Sequence, residues 1–113
     1  TLNRYLERLP ALPTAWFCAG DMIAVSMYQL MSARGLSIPG DISVMGFDDL
    51  KIAEVLSPPL STVRVNRKMM GKLGVELLLG RTQCGDPEEN LHLTIPCALV
   101  PRASVSRRNG PQT

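Results

Sequence analysis

Histidine, paired cysteine and an excess of either charge are all scarce in this chain of 113 residues. His92 is the only histidine, so a Ser-His-Asp triad or a multi-histidine metal centre lacks the partners it needs. Cys18, Cys84 and Cys97 are odd in number, far apart and outside any C-x-x-C pattern. That argues against a disulfide framework or a zinc site and for plain buried thiols. Twelve basic residues against ten acidic ones leave a formal charge of +2, too small to mark a nucleic-acid surface. No apolar run approaches the roughly 20 residues of a membrane helix, and the start, TLNRYLERLP, lacks the basic and apolar regions of a secretory signal. The expectation is a cytoplasmic protein without metal or cofactor. With 45% hydrophobic and 19% charged residues, it reads as one globular domain or a piece of a larger one, the latter compatible with a first residue other than Met.

What is present is an alternation of strand and helix signals. Residues 3–9 form a short helix candidate closed by Pro10 and Pro13. Thr14–Ala19 is a continuous apolar run of the kind found in parallel strands covered on both faces. Asp21 suits the N-cap of a following helix and Gly35 the position after its end. Along that helix Ala24, Met27 and Met31 form one apolar stripe, while Val25, Tyr28 and Gln29 lie on another face. After the turn SIPGD comes a second apolar run, 42–47, which completes a strand-helix-strand unit and predicts parallel pairing. Pro58 and Pro59 lead irregularly into a strand at Ser61–Val65. Asn66 can cap a helix running to about Leu79 and ended by Gly80. Its buried side would carry Met70, Leu73, Leu77 and Leu78, with Gly71 and Gly74 permitting close approach. Arg64, Arg67, Lys68, Lys72 and Arg81 make this region basic, but no aromatic residues interleave, so it reads as a solvated face. Leu91–Ile95 and Ala98–Arg102 are short strand candidates on either side of Pro96, and RRNGPQT is a loose tail.

In an open parallel sheet, ligands sit beyond the carboxyl ends of the strands. Both strand candidates end in polar groups there: Gly20-Asp21 and Asp48-Asp49. If the backbone stays extended through Asp48 and Asp49, their side chains point to opposite faces, so only one meets a ligand and a shared-proton pair is disfavoured. An ionised carboxylate accepts hydrogen bonds, which suits ligand hydroxyls or amines. Plain turn capping by both residues is the alternative.

The segments PTAWFCAGDMIA, GLSIPGDISVMGFDDLKIAEVLSPPLSTVR, MGKLGVELLLGR and IPCALVPRAS, from about Pro13 to Ser104, together resemble the LacI/GalR family of ligand-regulated transcriptional repressors. The resemblance implies an α/β parallel-sheet fragment of a two-lobed, type I periplasmic-binding-protein-like effector domain. Residues 1–63 would belong to its C-terminal lobe, 64–95 would cross back to the N-terminal lobe, and 96–113 would form the returning strand and tail. It also implies a small-molecule effector, a sugar or related metabolite, a homodimer, and operator DNA bound through an N-terminal helix-turn-helix that has no counterpart in these residues. Asp48 falls on the first carboxylate of the family's G-F-D-D motif and is the expected effector contact, with Gly20, Asp21, Val65 and Arg67 beside it. Gly20 and Val65 stand where many relatives carry Asn and Gln, so two polar contacts are absent. Val25, Tyr28, Gln29, Ala53, Val55 and Leu56 would form part of the two-fold interface, with core packing as the alternative for that helix face. Two rival functions remain open at this point: a periplasmic-type solute-binding protein, and an enzyme using Asp48 with Asp49 or Asp21 as acid and base.

Overall fold

The computed structural model describes residues 4, 6–8, 11–84 and 92–107, the side chains of 81–84 excepted. They fall into two compact units, Thr1–Arg64 with Leu99–Thr113, and Val65–Ala98.

The first unit is built on strand β1 (Ala15–Phe17), helix α1 (Asp21–Ala33), strand β2 (Ser43–Met45), the short helix α2 (Lys51–Val55) and strand β3 (Thr62–Arg64). Strands β1 and β2 pair in parallel, Trp16 opposite Val44, as the strand-helix-strand order predicts. Single parallel bridges at Met45–Ser61 and Asp48–Arg64 carry the order on to β3, which pairs with β4 (Ala98–Val100). Ala24, Met27 and Met31 are fully buried, as their helical spacing requires, and pack with Ile42, Val44, Ala53 and Leu60. Helix α1 closes through a paired C-terminal motif: Gly35 N–H donates to the Ser32 carbonyl at 3.0 Å and Leu36 N–H to that of Met31 at 2.9 Å. Gly35 adopts the left-handed φ of 68° that this motif favours in glycine.

The covered first strand is not what forms. β1 spans three residues, Phe17 remains 60% exposed, and among the described residues β1 pairs with β2 alone. The burial expected of that run is met by Cys18. Of the first helix candidate, Arg4 and Leu6 are helical; Thr1–Asn3, Tyr5, Leu9 and Pro10 lie outside the described residues.

The described residues of the second unit include helix α3 (Arg67–Cys84) and residues 92–97, which lack regular structure. Asn66 caps α3 as expected, its Oδ1 accepting the Met69 N–H at 3.1 Å. The helix does not stop at Gly80 but runs on to Cys84, since a helical glycine costs only about 1 kcal/mol relative to alanine and breaks nothing by itself. The expected buried side is also corrected. Met70 and Leu78 are exposed, Leu73 and Leu77 half-buried, and a Cβ on Gly71 or Gly74 would meet nothing within 4 Å. Among the described residues of its own unit, α3 has no second helix or strand to bury that face against. Residues 92–95 form no strand, Leu91 lies outside the described residues, and β4 ends before Pro101.

Candidate functional site

The carboxyl ends of β1 and β2 converge. Gly20, extended at φ −167°, is the N-cap of α1, and a Cβ built on it would stand 3.6 Å from Asp48 Oδ2. The Asp48 carboxylate therefore lies half-buried directly over the end of β1. The backbone that delivers it is not extended: φ is 104° at Asp48 and 53° at Asp49, the left-handed region that aspartate tolerates better than most residues. Period-two alternation does not apply there, and the two carboxylates are separated instead by a sharp turn whose start is fixed by Asp48 N–H donating to the Val63 carbonyl at 2.9 Å.

Asp21 is neither the N-cap nor an exposed ligand group. Its side chain is fully buried, Oδ2 accepting the Leu50 N–H at 2.7 Å and Oδ1 the Thr62 hydroxyl at 2.6 Å, while its own N–H donates to the Phe47 carbonyl. With both oxygens engaged, it is an internal tie between α1, the loop after β2 and β3. Gly46 explains itself here: a Cβ at that position would run into the Asp21 carboxylate and into Leu60. The glycine of G-F-D-D makes room for a buried carboxylate from elsewhere in the fold.

Asp49 is occupied too. Oδ2 accepts Arg64 Nε at 2.6 Å and Oδ1 accepts Arg102 Nη2 at 2.8 Å, with the Asp49 side chain 8% exposed. Burial pushes its carboxyl up, but the hydrogen bonds and charges of Arg102 and Arg64 outweigh this and hold it below the usual carboxylate range. Arg64 pairs with Asp49 while its own side chain stays 58% exposed, so it remains on the solvated side of the pair. Arg102 also donates to the Leu60 carbonyl at 2.9 Å, and Ser104, fully buried, links the Val44 carbonyl to the Ser61 N–H. Arg102, Ser104 and Thr62 escaped the sequence reading. Their one signal was membership of the motifs P-R-A-S and P-P-L-S-T-V.

Val65 and Arg67 belong to the second unit, where Arg67 N–H donates to the Val65 carbonyl at 2.8 Å. Cys18 is buried, and burial first, then the Asp21 charge, pushes its thiol up to about 11, so it is no nucleophile near neutral pH. Cys97, contrary to the buried-thiol expectation, is exposed. Of the expected interface, Tyr28 and Ala53 are core residues, Tyr28 donating its hydroxyl to the Pro58 carbonyl at 2.9 Å. Gln29 and Val55 are exposed, and Val25 and Leu56 half-buried. Asp21 and Asp49, the partners named for Asp48 in an acid–base pair, each accept hydrogen bonds on both oxygens. No group of three or more potential metal ligands occurs among the described residues. A hollow of about 560 Å³ among Thr14, Pro39, Asp41 and Arg107 lies at the amino ends of β1 and β2, away from Asp48.

The model of the periplasmic binding protein-like domain matches residues 1–105. The chain is 51% identical over 94 residues to the ribose operon repressor of Haemophilus influenzae, covering 82% of this chain and 28% of that protein. It is 38% identical over 102 residues to a lactose operon repressor of Rhizobium radiobacter, covering 90% of this chain and 88% of the relative. Among solved structures, a LacI family transcriptional regulator from Enterococcus faecium with bound ribose superposes with a TM-score of 0.76 at 28% identity, over 93% of this chain and 38% of that one. The chain thus spans little more than a quarter of the length of the first of these relatives.

Proposed function

We propose a function from one premise: the chain belongs to the LacI/GalR family of transcriptional regulators, and it carries the C-terminal part of their periplasmic binding protein-like domain. The repressor reading therefore stands over the periplasmic solute-binding alternative. In the intact regulator this part contributes one wall of an effector site for a small polyhydroxylated ligand, a sugar or close relative, and the bound state is read out in operator DNA binding. The first compact unit is assigned to the C-terminal lobe and the second to the crossing toward the N-terminal lobe. The regulator acts in the cytoplasm as a homodimer, without catalysis. Among the described residues no helix is long and apolar enough to cross a membrane.

The single observation that carries the ligand reading is the Asp48 carboxylate held over Gly20 where two parallel strands end. Gly20 itself contributes space, not a hydrogen bond. The repressor name and the ribose-bound neighbour make D-ribose the first probe. Calorimetric titration of the intact regulator should show D-ribose binding that Asp48→Ala weakens by on the order of tenfold to a hundredfold, the worth of a charged hydrogen bond. Unchanged affinity in the variant would remove Asp48 from the site.

A further inference from the structure

The G-F-D-D loop carries two carboxylates with different employment. Asp48 lies against Gly20 at the proposed effector site, whereas Asp49 is held from both sides by arginines. Those arginines stand at distinctive places in the chain. Arg64 is the last residue of β3 and of the first unit before the chain leaves for the second at Val65; Arg102 follows β4, just after the chain has returned at Leu99. Arg102 is further fixed by its N–H to Ser61 Oγ at 2.8 Å and its guanidinium to the Leu60 carbonyl. Asp48 itself is bridged to Arg64 through the backbone.

We propose that Asp49 is a positioning residue that ties the loop bearing Asp48 to both points where the chain passes between its two units, so that occupancy at Asp48 is felt at both crossings together. A neutral residue could shape the same turn. It could not hold two guanidiniums, one per oxygen, and adjacency in sequence makes any displacement of Asp48 a displacement of the clamp. The proposal rests on the effector reading for Asp48.

The test is hydrogen exchange on the intact regulator, with and without D-ribose, following peptides that span 62–65 and 98–102. In the wild type D-ribose should slow exchange in both segments by about tenfold. In Asp49→Asn that response should be lost at both at saturating D-ribose, with D-ribose affinity lowered less than by Asp48→Ala, since Asp49 acts on the ligand only through the loop it holds. A merely structural residue would lower overall stability without uncoupling the two segments from the ligand. Retention of the full response in Asp49→Asn overturns the proposal. Absence of D-ribose binding by the wild type would count against the ribose reading alone, and the clamp is then judged without ligand: Asp49→Asn and Arg102→Gln must each speed exchange in both segments and leave 42–45 unchanged. Exchange unaltered in either segment overturns it.

Discussion

Two stretches of this chain carry apolar residues at helical spacing, and they have opposite fates. In α1, Ala24, Met27 and Met31 are wholly buried; in α3, Met70, Val75, Leu78 and Leu79 are all about half or more exposed. Helix propensity does not separate them, for α3 is the longer helix, 18 residues against 13, and the one with a side-chain N-cap. What separates them is what lies opposite. α1 meets Ile42, Val44 and Leu60 and is locked by the Asp21 carboxylate, while among the described residues of its own unit α3 faces only the irregular stretch 92–97. Periodicity specifies which face of a helix seeks burial, and a partner decides whether burial occurs.

The sharpest way to break the first unit without touching the second is Gly46→Ala. The added methyl would drive into the Asp21 carboxylate and Leu60, displacing a buried charge from its hydrogen bonds, and the cost should reach about 3 kcal/mol or more. Urea unfolding followed by Trp16 fluorescence would report the loss. A neutral result would mean that Asp21 is held loosely and that the tie is not what organises this unit.

Asp21→Ala attacks the same tie from the other side. It strands the Leu50 N–H and the Thr62 hydroxyl in a buried site, which should cost about 2–3 kcal/mol. Thr62→Val should cost less, since Leu50 N–H keeps its acceptor, and the double variant should be less than additive because the two share one bond. Full additivity in equilibrium unfolding would show that Asp21 and Thr62 act independently.

These ties also mark the limit of what could be read from the sequence. The α1 stripe, the Gly35 helix ending, the Asn66 cap and the parallel order of β1 and β2 are local or periodic features, and each was legible. Asp21 looked like a cap because a carboxylate beside a helix start usually is one, yet its partners lie 29 and 41 residues away, at Leu50 and Thr62. Arg102 is 53 residues from Asp49, and no spacing rule reaches that far. Asp48 was singled out through its motif alone. The turn that aims it was not, because two consecutive non-glycine residues of positive φ are held by β3 and the returning strand, not by their own preference.

A third test uses pH and concerns only the first unit. The carboxyl of Asp49 is held below its ordinary value in the fold. Its contribution to stability is therefore fully present above the unfolded carboxylate value of about 3.9 and lost as pH falls through the lower folded value. Wild type should be the more stable protein at neutral pH, and its unfolding midpoint should converge on that of Asp49→Asn in acid. Parallel curves across the whole range would mean that the two arginines contribute nothing through charge.

The smallest expected effect lies in the second unit and has the opposite sign. Gly71 and Gly74 sit inside α3, where glycine is the poorest ordinary helix former, and a methyl on either would meet no atom within 4 Å. Gly71→Ala and Gly74→Ala should each favour α3 by about 0.5–1 kcal/mol, seen as a gain in helical circular dichroism with the first unit's unfolding midpoint unmoved. The two positions are i, i+3 neighbours on one helix face, and the double variant measures how far their gains couple. A loss of stability from either would show that something packs closely on that face.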